Sequence, residues 1–214
     1  MQLSYYESIR RLPVGVAVLI QYTAPVLLLV WARTRGRRVG GRLWIAAALA
    51  VIGCFFVAGA YDAGLRDLNT LGLGLAVLSA VIFAFYFVTA ERILSRYPTP
   101  TSLLYGFGFA AIAWAIARPV WTLPWTTTSA QIWWLLLGVL VVATVVPFAL
   151  TLAAVKLIPA ARVGLTSTFE PVVASIVAWF VLGERLDVPQ IAGGAVVLAA
   201  IGIAQSLRPI AESV

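Results

Sequence analysis

The chain has 214 residues, of which 62% are hydrophobic and only 11% are charged. Soluble globular domains are about 45–50% apolar and about 25% charged, so this composition excludes a water-soluble protein. The mean hydropathy of +1.00 agrees with a chain that lies in a lipid bilayer. The sequence has no histidine and a single cysteine, Cys54. These counts exclude an intramolecular disulfide, imidazole metal sites and Ser-His triads.

Charged residues divide the chain into apolar stretches of the length that crosses a membrane. A helix needs about 20 mostly apolar residues to span a bilayer core, whereas barrel strands are about ten residues long and polar at every second position. The pattern therefore predicts an all-α membrane protein with seven transmembrane helices. The predicted spans are Val14–Ala32, Leu43–Tyr61, Leu68–Ala90, Thr101–Ala117, Ala130–Val155, Val163–Gly183 and Val188–Leu207.

Basic residues predict how these spans are oriented. When the links between spans are assigned alternately to two sides, ten of the 15 basic residues fall on one side. The positive-inside rule places this side and the C-terminus in the cytoplasm, with Met1 on the outer side of a bacterial plasma (inner) membrane. A nucleic-acid surface is the alternative explanation of the arginines, but topology already explains them, so we expect no nucleic-acid partner. The ten residues are Arg33, Arg35, Arg37, Arg38, Arg42, Arg92, Arg96, Lys156, Arg162 and Arg208.

Two parts of the chain share a pattern of prolines and glycines. The prolines match at a common offset of 146 (159 − 13 and 171 − 25), and an Ile-Gly pair matches at 149 (202 − 53). The matching helices are five spans apart, so they cross the membrane in opposite directions. Such inverted-topology duplication is typical of secondary transporters. The matching residues are Pro13 with Pro159, Pro25 with Pro171, and Ile52-Gly53 with Ile201-Gly202.

The repeat also predicts the domain organisation. Residues 1–61 are the last two helices of a first repeat, and residues 68–207 are a second repeat of five helices. A linker over 62–67 joins them, and a tail over 208–214 follows. Compared with a ten-helix inverted-repeat transporter, the first three helices are missing. We therefore expect the chain to be a fragment or to have a misplaced start.

Two motifs stand near corresponding ends of the repeats. The segment Thr168–Ser175 is followed by Leu182-Gly183-Glu184-Arg185-Leu186, and Tyr6–Gly15 precedes Tyr22-Thr23-Ala24-Pro25. These motifs resemble the EamA family of the drug/metabolite transporter superfamily over nearly the whole chain. The resemblance implies ten helices in two five-helix repeats and transport of small metabolites, often the export of amino acids or drugs. The chain departs from the family where Arg33–Arg38 replaces a Gly-Glu-Arg motif.

Glu170 is an acidic residue deep within a predicted span. A carboxylate in hydrocarbon usually faces a polar cavity or a partner, because its insertion is unfavourable. Helical spacing places Thr166 and Ser167 on the same face, and Pro171 leaves the Ser167 carbonyl without its helical donor. The residues favour a proton-titrating or cation-binding group in a translocation path. A structural carboxylate at a helix kink, or one drawn away by Arg162, is the alternative.

Gln21, Tyr22 and Pro25 occupy the corresponding positions of the first repeat. Interrupted helices at corresponding positions of two repeats mark transporter binding sites, although two ordinary kinks that shape packing remain the alternative. Pro147 predicts a further kink in the fifth span. The residues predicted to bind substrate or protons are Glu170, Ser167, Thr166, Gln21 and Tyr22, and those predicted to kink helices are Pro25, Pro171 and Pro147.

The sequence therefore predicts a secondary transporter that exports small amino-acid-like metabolites or amphipathic drug-like compounds. It contains no phosphate-binding loop motif, so an ion gradient would drive transport, with proton coupling through Glu170 as one route. A non-transporting subunit or fragment is the main alternative, and a membrane-embedded enzyme lacks an evident acid/base pair. We expect no catalytic residue, metal or cofactor. The expected partners are a small-molecule substrate and the lipid bilayer, and a homodimer is left open.

Overall fold

The computed structural model describes residues 1–62, 68–117, 120–122 and 129–206. In these ranges it contains eleven α-helices, a 3₁₀ turn at Val120–Thr122 and a π-helical turn at Val141–Val145, with no β-strand. The predicted all-α class is confirmed. The helices are α1 (Gln2–Ile9), α2 (Val14–Gln21), α3 (Ala24–Thr34), α4 (Gly41–Val57), α5 (Thr70–Leu94), α6 (Thr99–Ala117), α7 (Ala130–Leu140), α8 (Val146–Leu157), α9 (Ala160–Ser167), α10 (Glu170–Leu182) and α11 (Val188–Ser206).

Six helical segments of the described residues are long and apolar enough to cross a membrane. A seventh apolar helix, α4, has only 17 residues. The chain is therefore a multi-pass helical membrane protein, while the count of seven spans and the three missing helices stay predictions. The six segments are Val14–Thr34, Thr70–Leu94, Thr99–Ala117, Ala130–Leu157, Ala160–Leu182 and Val188–Ser206.

The second predicted span ends earlier than expected. It was predicted to reach Tyr61, but α4 ends at Val57. Gly59 has a φ of +64°, and its N–H donates to the Phe56 carbonyl at 3.1 Å. The next N–H, of Ala60, donates to the Phe55 carbonyl at 3.1 Å. This is a Schellman ending, in which a left-handed glycine reverses the chain and satisfies the last helical carbonyls.

The chain divides into two compact units, which are described separately. The larger contains the described residues of Met1–Thr89 and Ile158–Val214, and the smaller is Ala90–Leu157. The predicted division into two repeats stays a prediction. The two units are defined by contacts within the fold, whereas repeats are defined by duplicated sequence, so the units do not test it. Most of the predicted linker 62–67, all of the tail 208–214 and Arg208 lie outside the described residues.

In the larger unit, α4 and α11 pack closely through glycines. A Cβ atom at Gly53 would lie 2.8 Å from the Gly193 carbonyl oxygen, and one at Gly193 would lie 2.8 Å from the Gly53 carbonyl oxygen. Small residues of this kind let helix backbones approach within a membrane. Earlier α4 residues lie with later α11 residues, so the two helices run antiparallel. One buried cluster contains Ala46, Ala47, Ala50, Ala200 and Ala204.

In the same unit, α5 runs parallel to the segment formed by α2 and α3. Its residues meet those of α2 and α3 in the same order along the chain, which is the evidence for this direction. The contacts that establish the order are Gly72 with Leu12, Ser79 with Gln21, and Phe87 with Leu28 around Gly164. The segment formed by α2 and α3 and the part of α5 that belongs to this unit, residues 70–89, therefore run in the same direction.

The smaller unit exposes most of its apolar side chains. Its helices α6 and α7 contain no buried residue, and Ile116 and Trp134 are 78% and 73% exposed. Phe107 and Phe148 pack edge to face at 5.7 Å between ring centroids. Large contiguous apolar surfaces mark membrane or protein contact, and in this chain they suit contact with lipid.

Candidate functional site

Two of the membrane-crossing segments are interrupted at corresponding positions. In the first, α2 ends at Gln21 and α3 begins at Ala24. In the second, α9 ends at Ser167 and α10 begins at Glu170. Both the ends and the starts are 146 positions apart (167 − 21 and 170 − 24), which is the offset of the paired prolines. We call Tyr22-Thr23 the first break and Thr168-Phe169 the second break.

Pro25 and Pro171 follow these breaks as the second residue of the next helix. Proline is tolerated there because the N–H groups of a first turn have no helical acceptor and the fixed φ suits a helix. Each helix before a break closes with a turn-like bond to the carbonyl three residues back. The Thr23 N–H donates to the Ile20 carbonyl at 3.1 Å, and the Phe169 N–H donates to the Thr166 carbonyl at 3.0 Å. The prolines therefore begin new helices rather than bend continuous ones.

A hydrogen bond joins the two interrupted segments. The Tyr22 hydroxyl donates to a carboxylate oxygen of Glu170 at 2.8 Å. Tyr22 is only 7% exposed, whereas Glu170 is exposed. Tyr5 of α1 lies within electrostatic range of the same carboxylate. One carboxylate and two phenols from three separate elements thus converge, and we call them the Tyr5–Tyr22–Glu170 cluster.

The environment of Glu170 suits a negative charge. Glu170 is the first residue of α10, where the positive end of the helix dipole interacts favourably with a carboxylate. Glu170 accepts its hydrogen bond from the Tyr22 hydroxyl, whereas Glu7 forms ion pairs with Arg10 and Arg11. The hydrogen bond from Arg11 holds the pKa of Glu7 below its ordinary value. The two carboxylates therefore have different partners, arginine for Glu7 and a phenol for Glu170.

Gln21 is also tied to a neighbouring helix. Its side-chain carbonyl accepts a hydrogen bond of 3.0 Å from the Ser79 hydroxyl, and Ser79 is fully buried. Sequence reasoning did not identify Ser79. Its position in the middle of an apolar span was the available signal, but a lone serine in a helix usually satisfies itself on its own backbone.

The hydroxyls of Thr166 and Ser167 bond to the backbone of their own helix. The Ser167 hydroxyl donates to the Val163 carbonyl at 3.1 Å, and the Thr166 hydroxyl donates to the Arg162 carbonyl at 2.9 Å. Thr166 also accepts a 2.7 Å bond from the Gln205 amide, a partner the sequence did not predict. The roles of Thr166 and Ser167 in binding substrate or protons stay predictions.

The second break is also in contact with α4. The Cys54 thiol lies 4.0 Å from the Thr168 carbonyl oxygen, at donor distance for sulfur. Thr168 is fully buried, and its hydroxyl donates to the Leu165 carbonyl at 2.6 Å. The interruption is therefore a packed structural feature, held by its own side chain and by a neighbouring helix.

Pro147 belongs to the smaller unit and has a different local structure. It follows the π-helical turn Val141–Val145 and is the second residue of α8. The Thr144 hydroxyl donates to the Val139 carbonyl, five residues back, at 3.3 Å. The wide turn accommodates proline without a break, since a π-turn shifts the local hydrogen-bond pattern. The structure thus brings Glu170 and Tyr22 together and leaves Pro147 in another unit.

The paired interruptions and the carboxylate between them define a class of protein. Broken helices at corresponding positions of a polytopic helical membrane protein are typical of secondary transporters. Among the described residues, no group of three or more His, Cys, Asp and Glu side chains is placed to hold a metal ion. The architecture is that of a membrane transporter.

Comparison with known proteins identifies the family within this class. The sequence profile of the EamA-like transporter family matches residues 1–59 and 70–205, and the chain belongs to this family. The resemblance found in the sequence is confirmed. The related proteins are transporters, which also confirms the prediction that the chain is not an enzyme.

Relatives cover nearly all of this chain. It is 29% identical over 203 residues to an uncharacterized transporter of Archaeoglobus fulgidus, covering 94% of this chain and 70% of the relative. It is 27% identical over 214 residues to the threonine/homoserine exporter RhtA of Escherichia coli K12, covering 97% and 68%. A solved crystal structure superposes with a TM-score of 0.76 at 20% identity, covering 96% of this chain and 73% of that one. This last likeness shows a shared fold.

Proposed function

We propose that this transporter exports small amino-acid-like metabolites, or amphipathic drug-like compounds, across the bacterial inner membrane. The observation that carries the proposal is the hydrogen bond from Tyr22 to Glu170. This bond connects the first break with the residue that follows the second break, and broken helices characteristically form a transport site, which supports the proposal. The name of the Escherichia coli relative, a threonine/homoserine exporter, supports the substrate class.

The Tyr5–Tyr22–Glu170 cluster suits an ammonium group. A carboxylate forms a charge-assisted hydrogen bond with an ammonium, and a phenol ring attracts a cation through its face. Amino acids and many amphipathic drugs carry such a group. Glu170 is exposed, so a substrate has access to it, while Tyr22 stays buried and holds it in place.

The same carboxylate offers a route to proton coupling. Protonation of Glu170 removes the negative charge that an ammonium needs, so a proton and a cationic substrate compete for one site. Such competition links the exit of substrate on one side to the entry of a proton on the other. An intramembrane carboxylate is the usual residue for this role.

We further propose that the transporting unit has ten helices in two inverted repeats, of which this chain contributes the last seven, with its C-terminus in the cytoplasm. The equal offset of the two breaks and the antiparallel pair α4 and α11 support the inverted repeat. The covered share of the two relatives, 70% and 68%, supports a longer unit.

The test is flux of radiolabelled threonine and homoserine in proteoliposomes. It uses the 214-residue chain and, separately, the chain extended by the in-frame coding sequence that precedes Met1. We expect an imposed pH gradient to drive flux, and Glu170→Gln to remove the dependence on that gradient. Tyr22→Phe keeps the carboxylate and should reduce flux less.

Glu7→Gln is the matched control, because it removes a carboxylate that lies outside the membrane-crossing segments. It should leave flux unchanged. Unaltered flux and pH dependence in both Glu170→Gln and Glu170→Ala would remove the coupling role. Absence of flux from both forms of the chain would favour a non-transporting subunit.

A further inference from the structure

The larger unit contains an apolar cleft that the proposed transport site does not use. One wall is formed by α3 from Leu27 to Trp31. The other wall is formed by α5 from Val81 to Val88, and Ala84 lies in the middle of this α5 wall. Every lining residue is apolar. The α5 wall is about 10 Å long, as seven residues of helix rise about 1.5 Å each. The cleft therefore has the chemistry and length to hold part of a hydrocarbon chain.

One end of the cleft carries positive charge. The Arg35 guanidinium carbon lies 4.4 Å from the centroid of the Trp31 ring, which lines the cleft. This cation–π contact holds the guanidinium beside the apolar walls. Arg35 follows Trp31 by four residues, so it lies on the face of α3 that lines the cleft. The cleft thus ends at an arginine rather than at a neutral residue.

The arginine-rich segment Arg33–Arg42 is an ordered structure. It contains five arginines and no acidic residue. Gly36 has a φ of +80°, its N–H donates to the Arg33 carbonyl at 3.1 Å, and the Arg37 N–H donates to the Ala32 carbonyl at 3.0 Å. This Schellman ending sets the direction of the chain after α3. Val39 then packs against the buried α4–α11 cluster, which anchors the segment.

We propose that the cleft and Arg35 bind an anionic phospholipid from the surrounding bilayer. One acyl chain occupies the cleft between α3 and α5, and the headgroup phosphate contacts Arg35. Guanidinium groups match phosphate oxygens through two parallel hydrogen bonds. Basic clusters directly beside a transmembrane helix attract anionic lipids in the same way.

Headgroup charge determines which lipid fits. A zwitterionic lipid brings an ammonium close to Arg35, and the repulsion offsets the attraction of its phosphate. A lipid with a net negative charge lacks this repulsion. Membrane topology explains why arginines are present in this segment. It does not require any of them to be held in one place, whereas a headgroup site requires Arg35 to be held beside the cleft, as its contact with Trp31 does.

The test measures fluorescence quenching of Trp31 in phosphatidylcholine nanodiscs that contain the 214-residue chain. Bromine on the acyl chains quenches tryptophans within contact distance, and the difference between the wild type and Trp31→Phe isolates Trp31. Increasing mole fractions of brominated phosphatidylglycerol are compared with brominated phosphatidylcholine. We expect quenching by phosphatidylglycerol to saturate at a mole fraction roughly fivefold lower, from one arginine–headgroup contact.

Two variants separate the headgroup from the acyl chain. Arg35→Gln should remove the preference between the lipids, while Arg33→Gln removes the same charge from the opposite face of α3 and should retain it. Ala84→Leu fills the cleft, leaves Arg35 in place, and should reduce quenching by both lipids. Equal quenching by both lipids in the wild type would overturn the proposal. A preference that survives Arg35→Gln, or is lost in the Arg33→Gln control, would also overturn it.

Discussion

The first and second breaks have the same backbone and different chemistry. Each follows an eight-residue helix that begins after a proline, Pro13 with a ψ of 135° and Pro159 with a ψ of 140°. The first break carries the hydrogen-bond donor, Tyr22, and the second leads into the acceptor, Glu170. This difference shows that prolines and helix ends determine the backbone path of both breaks. Single side-chain positions then make the site asymmetric, because one segment supplies the donor and the other the acceptor.

Burial explains why only one of the two segments carries a carboxylate. The position that corresponds to Glu170 is Ala24, which is fully buried, whereas Glu170 is exposed. At its position Glu170 gains the Tyr22 donor and the positive end of α10. Ala24 is enclosed by its neighbours, so the first segment has no room for a carboxylate there. The predictions below test this comparison, beginning with the largest effect.

Ala24→Glu should have the largest effect, because it places a carboxylate at the buried counterpart of Glu170. An unpaired buried charge destabilises a fold by about 3 kcal/mol or more. We expect little monodisperse protein after detergent extraction and a lower thermal unfolding temperature. Glu170→Ala is the control and should remain folded. Wild-type stability of Ala24→Glu would show that the two segments are equivalent in burial as well as in backbone.

The next effect concerns the crossing of α4 and α11, one helix from each predicted repeat. Gly53→Ala and Gly193→Ala should each lower the free energy of unfolding by about 1–3 kcal/mol, because the added Cβ would lie 2.8 Å from a carbonyl oxygen in both cases. Thermal unfolding in detergent measures the loss. Gly202→Ala is the control, since nothing lies within 4 Å of its Cβ position. An unchanged unfolding temperature in either Gly53→Ala or Gly193→Ala would contradict the close contact that each glycine makes with the carbonyl of the other.

A smaller effect isolates the bond between the segments. A double-mutant cycle of Tyr22→Phe and Glu170→Gln should give a coupling free energy of about 1 kcal/mol, reduced from that of a buried charge-assisted bond because Glu170 is exposed. Denaturant unfolding of the four proteins measures it. The control cycle replaces Tyr22→Phe by Thr168→Val, at the corresponding position of the second break. The changes in unfolding free energy from Thr168→Val and Glu170→Gln should be additive. A coupling free energy in this control would contradict the asymmetry between the two breaks.

The smallest effect separates the two carboxylates by their partners. The pKa of Glu7 is lowered mainly by its hydrogen bond with Arg11. Its stabilising contribution is present above the ordinary pKa of a glutamate and is lost as the pH falls through the lowered value. Hydrogen exchange of α1 should therefore accelerate slightly on acidification in the wild type, and Glu7→Gln should remove that change. An identical acid response in both proteins would exclude this ion pair as its source.

Much of the fold follows from local chemistry. Apolar stretches predict the membrane-crossing segments, and Pro25 and Pro171 predict interruptions because proline cannot continue a helix. The early end of α4 at Val57 also has a recognisable local signal, because Gly59, two residues later, is able to adopt a positive φ. Composition and position made Glu170 conspicuous, since carboxylates are rare within a membrane span.

The pairings of the candidate site had no local signal. Tyr22 and Glu170 are 148 positions apart, and Ser79 and Gln21 are 58 apart. Gln205 reaches Thr166 across 39 positions, from a helix end that looks like an ordinary polar boundary. Each bond depends on which helices are neighbours, so only the folded arrangement identifies the partners.

Apolar content and the positions of two prolines were enough to predict that this protein lies in a membrane and that two of its membrane-crossing segments are interrupted, because these properties depend on residues close together in the sequence. The partner of Glu170 became known only from the folded arrangement, in which Tyr22 donates to it. The physical reason is that the two residues belong to different segments, and packing between those segments determines which side chains meet.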